Sequence, residues 1–126
     1  MPVKRSAAAA IAAAATFALT GSSLTAAPSA KPVETVAVVD DYYAPADLKI
    51  KPGTKVKWQW DQFNTNTHDV KLTDVHPKGV KTKDFRSSSG SIGVKFARTF
   101  ETPGKYGFVC TLHRTVMRMT IAVKKP

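Results

Sequence analysis

The stretch Val109-Cys110-Thr111-Leu112-His113-Arg114-Thr115-Val116-Met117 gathers a thiol, an imidazole and a thioether into one short segment. Cys110 is the single cysteine of the chain, so it has no intramolecular disulfide partner. In an oxidising compartment a lone thiol is paired between molecules, reactive, or bound to something. Soft sulfur together with imidazole suits copper. Two histidines, one cysteine and a weak axial methionine form the trigonal blue-copper arrangement. His68, in Thr67-His68-Asp69-Val70, is the natural second imidazole. Each residue alone also has a plainer reading. Cys110 reads equally as a small buried hydrophobe, His113 as a surface histidine, and Met117 as loop filler with Met119 as its competitor for the axial role. His76, in Val75-His76-Pro77, reads as a solvated side chain of a polar loop. The combination of the three residue types in order is far more specific than any one of them.

The elements that must hold these residues read as strands. Thr35 to Val39 is β-branched, and Leu48 to Lys51 alternates apolar and charged before a Pro52-Gly53 turn. Val56 to Trp60 and His68 to Leu72 alternate again, Val94 to Phe100 follows, and Tyr106 to Cys110 comes after Pro103-Gly104. Met119 to Val123 closes the series. Period-two alternation broken by frequent turn signals predicts an antiparallel all-β sandwich or barrel. Thr73 to Gly93 is polar and rich in Gly, Ser and Lys; it reads as a long loop with a short strand or helical turn. Alternation also assigns faces. His68, Val70 and Leu72 share the inward phase, as do Tyr106, Phe108 and Cys110, and Met119, Ile121 and Val123. Met119 thereby belongs to the strand core, whereas Met117 lies in the loop with the other candidates. Trp58 and Trp60 share the inward phase of Val56 and read as core.

At the N-terminus, Lys4 and Arg5 precede an apolar run from Ala7 to Leu19, then small and polar residues from Thr20 to Ala30. That order is the order of a secretory signal, and the run falls short of the roughly 20 residues that span a bilayer. Residues 1–30 are expected to be a signal peptide cleaved between 26 and 30, with a retained anchor as the alternative. Residues 31–126 are then one small domain, near the lower end of what buries a stable core. Without Lys4 and Arg5 the charge is 17 basic against 9 acidic residues, +8. The lysines are scattered, with no aromatic-interleaved basic motif, so a nucleic-acid partner is not expected. Attraction to an acidic partner or an anionic envelope fits better.

The chain resembles the cupredoxins, the plastocyanin/azurin-type blue copper proteins, and is similar to their short exported bacterial members. The resemblance runs through Ala44 to Trp58, through Thr67-His68-Asp69-Val70, and from Phe100 past Cys110 to the last strand. It implies a Greek-key β-sandwich with one copper ion, cycling between Cu(I) and Cu(II), held by His68, Cys110, His113 and Met117. It also implies that His113 is the solvent-facing ligand through which electrons pass. Two departures stand out. Relatives often have Asn directly after the first histidine, where it helps tie the cysteine loop; here it is Asp69. Many have Pro after the loop histidine; here it is Arg114.

The function expected from these readings is one-electron transfer outside the cytoplasmic membrane, periplasmic, extracellular or at the cell envelope. The expected partner is a redox protein with an acidic docking surface, and the chain is read as a monomer. Membrane contact is expected only through an uncleaved signal or anionic attraction. Copper carriage or storage without electron transfer needs the same ligands and is the main rival. A metal-free binding or adhesion module is the third reading, because fold does not fix function. An enzyme is not expected. Multicopper oxidation or nitrite reduction needs further histidines, and the chain has three in all. The Ser87-Ser88-Ser89-Gly90-Ser91 stretch has flexible-loop composition, not that of a nucleophile elbow.

Overall fold

The computed structural model describes residues 31–126. The expected signal peptide, residues 1–30, lies outside the described residues. The described residues form eight strands: β1 Val33–Val39, β2 Tyr42–Ala44, β3 Asp47–Ile50, β4 Thr54–Trp60, β5 Lys71–Leu72, β6 Lys95–Phe100, β7 Gly104–Val109 and β8 Arg118–Val123. A 3-10 turn, Thr82–Asp84, interrupts the long loop. The strands form two four-stranded sheets, ordered β2-β1-β4-β6 and β3-β8-β7-β5. This is the all-β sandwich anticipated from the alternation, in the Greek-key form that the resemblance implies. It is not wholly antiparallel, however. β1 runs parallel to β4, with Val36 opposite Trp58, and β3 runs parallel to β8, with Ile50 opposite Val123. Side-chain period is the same in both pairing modes, so alternation alone could not show these two joins.

β4 has the clearest pattern: Thr54, Val56, Trp58 and Trp60 are buried while Lys55, Lys57 and Gln59 are exposed. Its inward face meets the inward face of β7 and β8. Trp58 packs edge-on against Phe108, with ring centroids 5.2 Å apart, and Phe100 packs edge-on against Tyr106 at 4.9 Å. Such edge-to-face pairs add roughly 0.5–1.5 kcal/mol each beyond burial. Trp58 Nε1 also points at the sulfur of Met119, 3.4 Å away. Trp58, Trp60 and Met119 are therefore core residues, as their phase predicts.

The predicted strand over His68 to Leu72 is shorter than expected, because only Lys71 and Leu72 pair continuously, with β7. His68 instead forms an isolated bridge with Gly90. His68 N–H donates to Gly90 O at 3.0 Å, and Gly90 N–H returns a bond to His68 O at 3.1 Å. Strict alternation fails here as well, since Asp69 is buried between His68 and Val70. The Ser/Gly segment is thus tied down despite its composition. Ser87 Oγ accepts the Val70 N–H at 2.8 Å, and Gly90 O also takes the Trp60 indole N–H at 3.0 Å. A Cβ on Gly90 would lie 2.7 Å from a Val94 methyl, so a side chain at residue 90 would have to displace Val94.

Candidate metal centre

Three loops converge at one end of the sandwich: the β1–β2 turn at residues 40–41, the β4–β5 loop at 61–70, and the β7–β8 loop at 110–117. Cys110 directly follows β7 and is fully buried. The loop after it is tightly wound. His113 N–H donates to Cys110 O at 3.1 Å, and Met117 N–H donates to His113 O at 2.9 Å. Cys110 N–H donates to Met117 O at 3.0 Å, closing the loop on itself. Cysteine, histidine and methionine are thereby tied by their own backbones, and Met117 is completely buried.

His68, Cys110 and His113 present ligand atoms that all lie within 4.8 Å of one another. The two imidazole rings are 5.1 Å apart, centre to centre. Among the described residues this is the one group of His, Cys, Asp and Glu side chains arranged to hold a metal ion. Two nitrogens of the group, His68 Nδ1 and His113 Nε2, are buried without a hydrogen-bond partner. A buried polar atom left unpartnered costs about 1–3 kcal/mol. Two such atoms beside a buried thiol are what a cation bound among them would relieve. The donor set of two nitrogens and one sulfur fits copper on ligand softness.

His68 is wholly buried, whereas the side chain of His113 keeps 27% of its exposure. His113 is therefore the edge of the cluster that reaches solvent. Exposed Leu112 and Val116 flank it on the same loop. His76 is not part of the cluster. It is half-buried in the long loop, with Nδ1 at 2.9 Å from Pro77 O.

Asp69, the departure at the position after His68, takes over the loop-tying role. Its Oδ1 accepts the Thr111 backbone N–H at 2.7 Å and its Oδ2 accepts the Thr111 hydroxyl at 2.6 Å. Its carbonyl accepts the Tyr43 hydroxyl at 2.6 Å. Burial, and then the nearby Cys110 and Asp69, push the Tyr43 phenol far above its ordinary range.

Sequence reasoning missed the β1–β2 turn altogether. Asp40 Oδ1 lies 2.8 Å from His68 Nε2 and also accepts the Asn66 N–H at 3.0 Å; its Oδ2 accepts the N–H and hydroxyl of Thr65, both at 2.9 Å. The Thr65 amide, followed by the His68 ring, holds the Asp40 carboxyl well below the usual carboxylate range. Asp41 follows with a left-handed backbone, φ 71°. Its Oδ1 is 3.6 Å from His113 Nε2, too long for a hydrogen bond. The one signal in the sequence was the adjacent Asp40-Asp41 pair in a chain with 9 acidic residues.

Residues 34–124 match the family described as copper binding proteins, plastocyanin/azurin family. No curated protein sequence matches. Among solved structures, a copper-containing nitrite reductase from Thermus scotoductus SA-01 is similar at 29% identity and TM-score 0.61, over 79% of this chain. The chain spans only 24% of that nitrite reductase. A pseudoazurin from Sinorhizobium meliloti is similar at 19% identity and TM-score 0.57, over 75% of this chain and 76% of its own. A reduced amicyanin variant is similar at 21% identity and TM-score 0.60, over 76% of this chain and 86% of its own.

Proposed function

Because the chain belongs to the plastocyanin/azurin family of copper-binding proteins, the cupredoxins, we propose that it is a type 1 copper protein carrying single electrons between redox partners outside the cytoplasmic membrane. The observation that carries this reading is the buried His68–Cys110–His113 cluster with its two unpartnered imidazole nitrogens. His68 Nδ1, Cys110 Sγ and one nitrogen of His113 would hold the copper, with Met117 as a further, weaker donor. Met117 is supported by its burial and by its backbone bond to Cys110; Met119 is engaged with Trp58 in the core. Bound copper supplies a one-electron couple, Cu(II) to Cu(I). The chain contributes a ligand cage that is held from three loops and closed to water except at His113. A cage that need not rearrange between oxidation states would keep reorganisation small.

Electron entry and exit through His113 is supported by its partial exposure and by the apolar Leu112 and Val116 beside it, which suit a close, transient contact. Arg114, exposed on the same loop, and the +8 charge favour an acidic partner. Half-exposed Asp41 beside His113 places the opposite charge at the portal itself, so the basic attraction acts around the portal rather than at it. Association with such a partner is expected to slow as salt rises; a rate indifferent to ionic strength would count against an acidic docking surface. Exported location is supported by the N-terminal pattern, and among the described residues no helix is long and apolar enough to cross a membrane. The similarity to a nitrite reductase covers a quarter of that protein.

Copper carriage without electron transfer uses the same ligands. The two are separated by loading the protein with copper, reducing it, and challenging it with a Cu(I) chelator. An electron carrier keeps its copper and gives a reversible one-electron voltammogram; rapid loss of copper on reduction would turn the reading to carriage.

A further inference from the structure

We propose that Asp40 is a positioning residue for the metal: its carboxylate fixes the tautomer of His68 and biases the bound copper toward its higher oxidation state. The inference rests on His68 being a ligand. A carboxylate is only an acceptor, so the 2.8 Å contact puts a proton on His68 Nε2. In the neutral ring the lone pair then sits on Nδ1, the buried nitrogen that faces the cluster without a partner. A metal-ligating histidine whose other N–H is given to a carboxylate is both oriented and made more basic.

Asp40 is unusually well fixed for this task. Each of its oxygens accepts two bonds, and three of the four come from Thr65 and Asn66 rather than from His68. The carboxylate would therefore stay in place whichever way the ring turned. It also ties the β1–β2 turn to a loop some 25–28 residues later in the chain, so the ligand's orientation depends on contact between two sequence-distant segments. His68 is fully buried while Asp40 keeps 29% of its exposure, so the negative charge sits at the outer rim, one ring away from the metal position. Negative charge there stabilises the more highly charged ion of the pair, and removing it favours Cu(I).

The test uses the full chain with Asp40→Asn, Asp40→Ala and Asp61→Asn. Asp61 caps the Phe63 amide at 2.8 Å in the neighbouring loop and bonds to no imidazole. Asn at 40 keeps an acceptor for His68 but loses the charge, so it separates charge from shape if Ala disturbs the loop. In copper-loaded protein, Asp40→Asn is expected to change the Cu(II):Cu(I) affinity ratio about tenfold, a rise in reduction potential of about 59 mV for one electron. Asp40→Ala is expected to weaken Cu(II) binding about 10–100-fold, and Asp61→Asn to shift the potential by clearly less. In metal-free protein, nitrogen NMR of His68 should show the Nε2–H form, lost or mixed in Asp40→Ala. If wild type binds copper and both Asp40 variants keep its potential, the inference fails and the copper reading stands. If the metal-free tautomer is the same with and without Asp40, the positioning role fails on its own terms. If wild type takes no copper, both fall together.

Discussion

Replacing Asp69 by alanine should unfasten the cysteine loop. The carboxylate is 1% exposed and holds Thr111 twice, at 2.7 Å and 2.6 Å. Hydrogen bonds to a charged group contribute roughly 1.5–3 kcal/mol each. Thr111 is half-buried, so water can recover part of the loss, and we take the lower end of the range, about 3 kcal/mol for the pair. A domain of this size has roughly 5–14 kcal/mol in total at ~0.05–0.15 kcal/mol per residue. One kcal/mol moves Tm by about 4–8 °C in a domain this small, so Asp69→Ala should melt about 12–24 °C lower. Asp69→Asn is the informative control. Its amide oxygen can accept the Thr111 N–H and its amide nitrogen can donate to the Thr111 hydroxyl once that hydroxyl rotates. It should cost under about 1 kcal/mol. The assay is thermal and urea unfolding of metal-free protein, so copper affinity does not enter. If Asp69→Ala unfolds within about 1 kcal/mol of wild type, the carboxylate does not tie the loop and the reasoning is wrong.

Further outcomes follow from the same contacts. The folded Tyr43 phenol, buried against Asp69 and Cys110, sits above its unfolded value, as does Tyr106 through burial. Their contribution is complete below the unfolded value of about 10 and is lost as pH rises past it, where the unfolded chain gives up protons that the folded one keeps. Urea midpoints should therefore fall between about pH 9 and about pH 11, and less steeply in Tyr43→Phe; equal slopes would exclude Tyr43 as a source. Met119→Leu should lose the Trp58 contact and about 1 kcal/mol while leaving the copper spectrum intact. Met117→Leu should keep an intense blue band but shift the reduction potential, since a weak axial ligand tunes the potential. The reverse pattern would exchange the roles of the two methionines.

Strand content and inward faces were legible because burial on one face of a sheet writes a period of two into the chain. Val56, Trp58 and Trp60 show it in full, and the same phase separated core Met119 from loop Met117. The cluster was legible for a different reason: Cys110, His113 and Met117 are close in sequence, and His68 is on the inward side of its segment. Four features stayed hidden, three of them because they depend on which distant segments meet. β2 was missed because Tyr42-Tyr43-Ala44 is too short to alternate. The parallel joins of β1 to β4 and β3 to β8 leave no mark on side-chain period. Gly90, in a stretch that reads as slack linker, is held by backbone bonds to His68. Asp40 reads as an ordinary turn acid until folding brings it to the His68 ring.

The most direct measurement is the visible spectrum of the purified protein with one equivalent of Cu(II), recorded beside Cys110→Ser. A type 1 site with His68, Cys110 and His113 as ligands gives an intense blue thiolate-to-copper band that vanishes in the serine variant. A faint Cu(II) spectrum that the substitution leaves unchanged would mean that Cys110 is not a ligand and that electron transfer at this centre is wrong.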